Sequence, residues 1–445
     1  MFSLARRTLL ALIPLVAACD KSASTPPPAA STPSPSTPTT SLSAPSNTAA
    51  LTPPPAAETA MPKDAADLAK GSNDLAFELY GRIRGSAGNL AISPASISSA
   101  LAMTYGGARG ETAAQMKKTM HFPGEPAATM TSWGNTTRAL VAPARPMKIR
   151  MANRLFGEKS YSFEAPYLEA AQTAFGAPIE SLDFKHGPDA ARAHINGWVE
   201  ERTEKRIKDL LPATSINGET RLVLVNAIYY LADWEEPFDK TWTKDEPFHT
   251  TATTQKNVPT MKRTEHVPLA KTNGARVVEL AYKGNQTAMW IVLPDAVDGL
   301  AEVEKGFTGA TLDSWRSKLS VENVRVELPR FEVNPKESLS LAGKLKELGM
   351  TDAFEREKAN FTGIANPSDP RERLFIANVF HKAFVKTDEN GTEAAGATAV
   401  EMARAGGMPQ KPVDFKVDRP FLFLIVEKST SLVLFMGRVS DPQGG

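Results

Sequence analysis

Side chains capable of chemistry are sparse in this chain: six histidines (His121, His186, His194, His249, His266, His381) and one cysteine, Cys19. The histidines never pair at metal-ligand spacing, and one cysteine can build neither a disulfide framework nor a Cys-rich zinc or iron–sulfur site. There is no GxSxG elbow, HExxH helix, CxxC pair or GxxxxGK loop. The expectation is therefore no metal, no cofactor and no enzymatic activity. The glycine-containing run from Tyr105 to Gly110 follows a helical pattern and lacks the phosphate-binding lysine, so it reads as a helix C-cap and turn. What stands out is the small-residue stretch from Glu389 to Val400, followed by Ala403-Arg404-Ala405-Gly406-Gly407. In extended chain, alternate side chains share a face. Thr392, Ala394, Gly396, Thr398, Val400 and Met402 form one uncharged, mostly small face; Glu393, Ala395, Ala397, Ala399, Glu401 and Ala403 form the other. Such a segment could slide into a sheet with the first face inward, or remain a loose Ala-rich surface loop.

Other parts of the chain bound where such a segment would work. With 51 Lys+Arg against 50 Asp+Glu, the net charge is +1. That balance argues against nucleic-acid binding, which needs a dense field of cations. Residues 1–18 place Arg6 and Arg7 before an apolar stretch, Thr8 to Leu15, and end in Val16-Ala17-Ala18. The apolar stretch is far short of the roughly 20 residues that cross a bilayer, so it reads as an export signal. The pattern resembles a bacterial lipobox, which implies cleavage before Cys19 and acylation of that residue. Residues 19–62 then form the lipidated cysteine and a tether. From Ser22 to Pro62 the chain is nearly all Pro, Ser, Thr and Ala, with 11 of the 34 prolines and Glu58 as its single charge. That composition cannot offset chain entropy by burial, and a flexible tether of this length reaches roughly 35 Å.

Residues 63–445 carry helical patterning first and strand patterning later. Apolar three-to-four spacing predicts helices over Ala65 to Arg82, Ser93 to Gly106, Thr112 to Met120 and Asp189 to Glu204. Alternating or β-branched runs predict strands over Arg221 to Leu231, Ala288 to Leu293, Val324 to Leu328, Leu374 to Lys386, Phe421 to Val426 and Ser431 to Val439. The element order argues for α+β with extensive sheets.

At this point the residues match a family. The block Asn89 to Met103 resembles the serpin NxxxSPxSIxxALAM motif, and Ile195 to Leu211, Leu222 to Trp234, Val324 to Val333, Leu348 to Phe354, His381 to Thr398 and Phe415 to Ile425 match further serpin blocks in order. The resemblance implies a serpin fold, with three β-sheets, eight or nine helices and an exposed reactive-centre loop. It implies a monomeric suicide inhibitor of serine endopeptidases, with cysteine endopeptidases as a further target class. A non-inhibitory binding or chaperone-like serpin is the alternative.

Carried over by residue, the resemblance places Ser93, Ser96, Asn226 and His381 in a polar shutter beneath the opening sheet. Trp234, Arg330 and Glu389 fall at the breach above it. The hinge is Glu389, Gly391, Thr392, Glu393, Ala394, Ala395, Gly396 and Ala397, whose small residues favour the inhibitory reading. Thr392 to Ala403 would add a strand of roughly 40 Å. Hinge spacing puts the scissile bond at Ala405-Gly406, suited to elastase-like or subtilisin-like pockets. One residue earlier, Arg404-Ala405 would suit a trypsin-like pocket with a carboxylate floor; Met402 and Met408 are also within reach. Two departures from the pattern, Ala232 for a usual glycine and Lys205-Arg206 for a frequent Gly-Lys, are expected to stay clear of the hinge. With the lipid anchor as its only membrane contact, the protein is expected in the cell envelope.

Overall fold

The computed structural model describes residues 60–176, 179–393 and 411–444. Cys19, Ala394, Ala395, Gly396, Ala397, Met402, Arg404, Ala405, Gly406 and Met408 lie outside them. Nine α-helices occur among the described residues: α1 (Ala65–Ile83), α2 (Pro94–Gly107), α3 (Gly110–Thr119), α4 (Pro126–Leu140), α5 (Ala165–Phe175), α6 (Pro188–Arg202), α7 (Leu300–Lys305), α8 (Gly309–Lys318) and α9 (Ala342–Glu347). The strands are β1 (Leu90–Ile92), β2 (Lys148–Glu158), β3 (Glu180–Leu182), β4 (Leu222–Asp233), β5 (Lys244–His249), β6 (Gln255–Lys271), β7 (Ala275–Ala281), β8 (Thr287–Pro294), β9 (Ser320–Pro329), β10 (Phe331–Val333), β11 (Leu339–Ser340), β12 (Val379–Thr387), β13 (Gly391–Thr392), β14 (Val413–Lys416), β15 (Phe421–Glu427) and β16 (Leu432–Val439). All four predicted helices form. The glycine run at Tyr105 is the end of α2 and the turn into α3, where the Arg109 guanidinium donates to the Gly106 and Ala108 carbonyls.

Hydrogen bonding joins the strands into a nine-stranded and a seven-stranded sheet. Two of the three sheets expected are continuous with each other through β6, 17 residues long, which pairs with β5 over its first residues, with β9 over the rest and with β7 at its far end. The central, seven-stranded sheet runs β10-β12-β13-β4-β2-β3, with β11 against β12. Its middle is buried on both faces. Leu224, Ile228 and Tyr230 of β4 join the large core with α1, α2 and the other sheet. Val223, Val225, Ala227 and Tyr229 pack on the opposite face with Ile195 and Val199 of α6 and with Ile207, Leu210 and Leu211 after it. Double burial explains why β4 reads as a continuous apolar run rather than an alternation.

The sheet opens at one end. β12 and β4 are parallel neighbours from Val379↔Leu224 to Phe384↔Tyr229. Above that last pair they part, and β13 lies between them, antiparallel to both: Thr392 stands opposite Thr387 on one side and Ala232 on the other. The sheet is thus closed below and forked above.

Candidate functional site

The lower seam is tied by a row of polar side chains. Register places His381 of β12 opposite Asn226 of β4, and Asn226 opposite Asn153 of β2. All three side chains therefore fall on one face, above the N-terminus of α2. Ser93 caps that helix: its hydroxyl accepts from the Ser96 amide at 3.3 Å and donates to the Leu434 carbonyl at 2.6 Å. The Ser93 amide donates to His381 Nε2 at 3.0 Å, which leaves the proton on Nδ1 to donate to Asn226 Oδ1 at 2.6 Å. The Asn226 amide donates to the Ser96 carbonyl at 2.7 Å, the Ser96 hydroxyl at 2.6 Å and Asn153 Oδ1 at 2.9 Å. Ser93, Ser96 and Asn226 are fully buried. Burial pushes the His381 imidazole down to about 3, so it is neutral. A neutral, hydrogen-bonded network in an apolar setting is stable as it stands and has no charge to lose.

Across the fork the chemistry is charged. Glu389, itself buried, receives the Arg330 guanidinium through Nε at 2.8 Å and Nη2 at 2.5 Å, and the Thr243 hydroxyl at 2.5 Å. Burial works against its charge, yet those donors outweigh burial and hold the carboxyl below the usual range. The Trp234 indole donates to the Asp388 carbonyl at 3.0 Å and stacks on Tyr282 at 4.6 Å between ring centroids. Tyr282 in turn shares a 2.5 Å hydroxyl contact with Thr392, which is fully buried and also lies 3.3 Å from the Thr387 hydroxyl. Backbone bonds from Trp234 N to Asn390 O and from Phe238 N to Glu389 O, both 2.8 Å, fasten the turn before β13.

Gly391 is required by close approach. Its φ is +154°, and a Cβ there would run into the Ala232 carbonyl oxygen, with Asp233 Cα only 2.8 Å away. Thr392 faces the large core, as the uncharged face was expected to do. Glu393 points to the other face, its amide donating to the Lys386 carbonyl at 2.8 Å. Glu393 itself is in the left-handed region at φ +47°.

Structure thus brings Ser93, Ser96, Asn226 and His381 into one cluster, and Trp234, Arg330, Glu389, Gly391, Thr392 and Glu393 into another. It corrects the expectation about the two departures. Ala232 lies directly opposite Thr392, and the Arg206 guanidinium forms an ion pair with the Glu393 carboxylate. The chain after α6 crosses the sheet face and delivers Arg206 there, a long-range placement that spacing along the chain does not carry. Asn153, Thr243 and Tyr282 were likewise not foreseen; Asn153 and Tyr282 become neighbours of the site only through strand register, Thr243 through the turn that follows Trp242.

The family model Serpin (serine protease inhibitor) matches residues 70–442. A leukocyte elastase inhibitor of Equus caballus is 40% identical over 367 residues, covering 80% of this chain and 93% of that protein. Among solved structures, uncleaved ovalbumin superposes with TM-score 0.75 at 28% identity, over 84% of this chain and 100% of that one. The native state of the thermophilic serpin Tengpin gives 0.75 at 27% identity, over 86% and 95%. The chain belongs to the serpin family.

Proposed function

We propose that this protein traps serine endopeptidases, and cysteine endopeptidases as a second class, by inserting its reactive-centre loop between β12 and β4. The observation that carries this reading is β13. Its two residues already occupy the mouth of the fork, antiparallel to both flanking strands, and the residues that follow are small. A protease would attack the loop as a substrate. Before the acyl-enzyme hydrolyses, the segment after Glu393 would advance down the seam, replacing the parallel β12–β4 ladder with two antiparallel ones. Antiparallel ladders are the more stable per residue, and the change adds a whole strand, so the native state lies above the inserted one. The nucleophile in this scheme belongs to the target. The cluster around His381 would act as the shutter, and the Arg330–Glu389 pair with Trp234 as the breach.

Ala405-Gly406 is the preferred scissile bond, with Arg404-Ala405 as the alternative. The elastase inhibitor named among the relatives supports a shallow-pocket target. The test is to mix the protein separately with an elastase-like and a trypsin-like protease and look for a denaturant-resistant complex. Mass of the released C-terminal fragment then decides the bond: residues 406–445 make 40 residues, and residues 405–445 make 41. Cleavage without a complex, and with no rise in melting temperature, would refute inhibition by insertion.

Placement is a further part of the proposal. The only cysteine of the chain stands where lipidation needs it, ahead of the Pro/Ser/Thr/Ala tether, so the domain would be held at the cell envelope by acylated Cys19. Among the described residues no helix is long and apolar enough to cross a membrane. Cys19→Ala should move the protein from the membrane to the soluble fraction; retention in the membrane fraction would remove the anchor.

A further inference from the structure

Glu393 is the last described residue at the fork, and its surroundings are unusual for a carboxylate. Its side chain is only 8% exposed, and neither carboxylate oxygen has a hydrogen bond of good geometry. Arg206 is its ion-pair partner. The same guanidinium lies 5.7 Å from the centre of the Phe384 ring. Phe384 and Tyr229 are the last parallel pair before β12 and β4 separate. Arg206 therefore stands over the crotch of the fork, in contact with the incoming chain and with one of the two strands that must part.

Arg206 is held there by a strap, residues 203–211, that crosses the sheet face after α6. Ile207, Leu210 and Leu211 of the strap are fully buried against the sheet. The Thr203 hydroxyl donates to the Val199 carbonyl at 2.8 Å and accepts from the Ile207 amide at 3.2 Å, closing the turn. Lys382 of β12 reaches up to donate to the Lys208 carbonyl at 3.0 Å, tying the strap to the strand. The turn that aims Arg206 uses two consecutive non-glycine residues in the left-handed region, Glu204 at φ +51° and Lys205 at φ +65°. Such conformations cost energy and persist only where the surroundings impose them. Here the buried strap and the Glu393 pair do so.

We propose that Arg206 is a positioning residue for insertion: from the strap it pairs with Glu393 and keeps the hinge seated in the mouth of the fork, in the register from which the rest of the loop advances. The energetic reason is one-sided. With Arg206 absent, Glu393 in the seated hinge keeps only the Tyr229 hydroxyl and the Lys386 charge against the cost of burial, and withdrawal of Gly391 to Glu393 into water relieves that shortfall. With Arg206 present, Glu393 already lies on the face it would occupy in the completed strand, so the pair does not oppose further insertion. This inference rests on the inhibitory reading for its consequence, but the seated hinge can be measured without any protease.

The experiment is hydrogen exchange in the full-length protein, read on the peptide spanning Gly391 to Glu393, whose Glu393 amide is protected by Lys386. Arg206→Gln should raise its exchange rate about fivefold or more, the size of a lost charge-assisted pair at a partly exposed site. Glu393→Gln, which removes the charge that needs a partner, should bring Arg206→Gln in the double variant back near the wild-type rate. Arg206→Lys should retain most of the protection, and peptides elsewhere in β4 and β12 should be unchanged. With a protease that forms the trapped complex, Arg206→Gln should also raise the number of inhibitor molecules consumed per protease, with the melting temperature little altered. An unchanged exchange rate in Arg206→Gln, or additive effects of the two glutamine variants, overturns the proposal. If no protease is trapped even by the wild type, the function fails while the exchange data still decide the seating.

Discussion

Along the single seam between β4 and β12, two regions hold the strands by opposite means. Low on the seam, His381, Asn226, Ser93 and Ser96 are neutral, buried and joined donor to acceptor, and the strands pair directly. High on the seam the strands are apart, a two-residue strand sits between them, and beside the neutral Tyr282–Thr392 contact stand two ion pairs, Glu389 with Arg330 and Glu393 with Arg206. A neutral network is a closed arrangement that loses several bonds at once when opened. An ion pair near the surface is weaker, and its members can re-solvate. The contrast places the entry point at the top and the main resistance below it.

The contrast can be broken most severely at Thr392. Thr392→Arg would force a charge into the fully buried site beside Tyr282 and Thr387, and a charge there has no partner. Complex formation should vanish and the protein should be cleaved as an ordinary substrate, which a denaturing gel reads directly; persisting complex would mean that the strand does not enter with this face inward. Next in size is Asn226→Ala, which strips three acceptors and His381 of their partner. It should destabilise the uncleaved protein by about 3 kcal/mol, seen as a lowered denaturant midpoint; a loss no larger than that of Glu389→Gln would erase the distinction drawn between the two regions.

A third test uses pH. The unfolded imidazole takes up a proton near 6.5, whereas folded His381 resists until about 3. Between those values the unfolded chain binds more protons, so stability falls as pH falls, by about 2 kcal/mol at pH 5 relative to pH 7. His381→Gln should flatten that slope in melting temperatures measured across the range. Glu393, whose carboxyl burial raises, acts with the opposite sign, since its protonation on acidification relieves the folded state; it remains in both proteins and cancels from the comparison. The smallest effect expected is Glu389→Gln. With Arg330 nearly half exposed, the change should cost no more than about 1 kcal/mol and shrink in salt; a larger, salt-independent loss would make the upper seam as rigid as the lower.

Much of this organisation was legible in the residues. The four predicted helices begin and end within two residues of the observed ones, because Ser93 as a cap, Pro at first turns and apolar three-to-four spacing are local signals. The strand read from Leu374 to Lys386 begins only at Val379, since hydrophobicity continues upstream into a buried loop that includes Ile376. The alternating faces of the hinge were also readable, and Thr392 and Glu393 do fall on opposite sides of the sheet. Asn153 was not readable, because it joins His381 and Asn226 only through the antiparallel register of β2 with β4. Arg206 was misjudged for a similar reason: nothing in its neighbours along the chain says that residues 203–211 fold back across the sheet.

By itself, then, the amino-acid sequence determined the local elements, the family and the inward side of Thr392 at the start of the hinge, all of which depend on residue type and short-range spacing. Tertiary structure alone decided which side chains share an environment. Strand register set the His381–Asn226–Asn153 row, and the path of the strap set Arg206 against Glu393. Those placements follow from packing two faces of one sheet at once, a constraint that no short window of sequence contains.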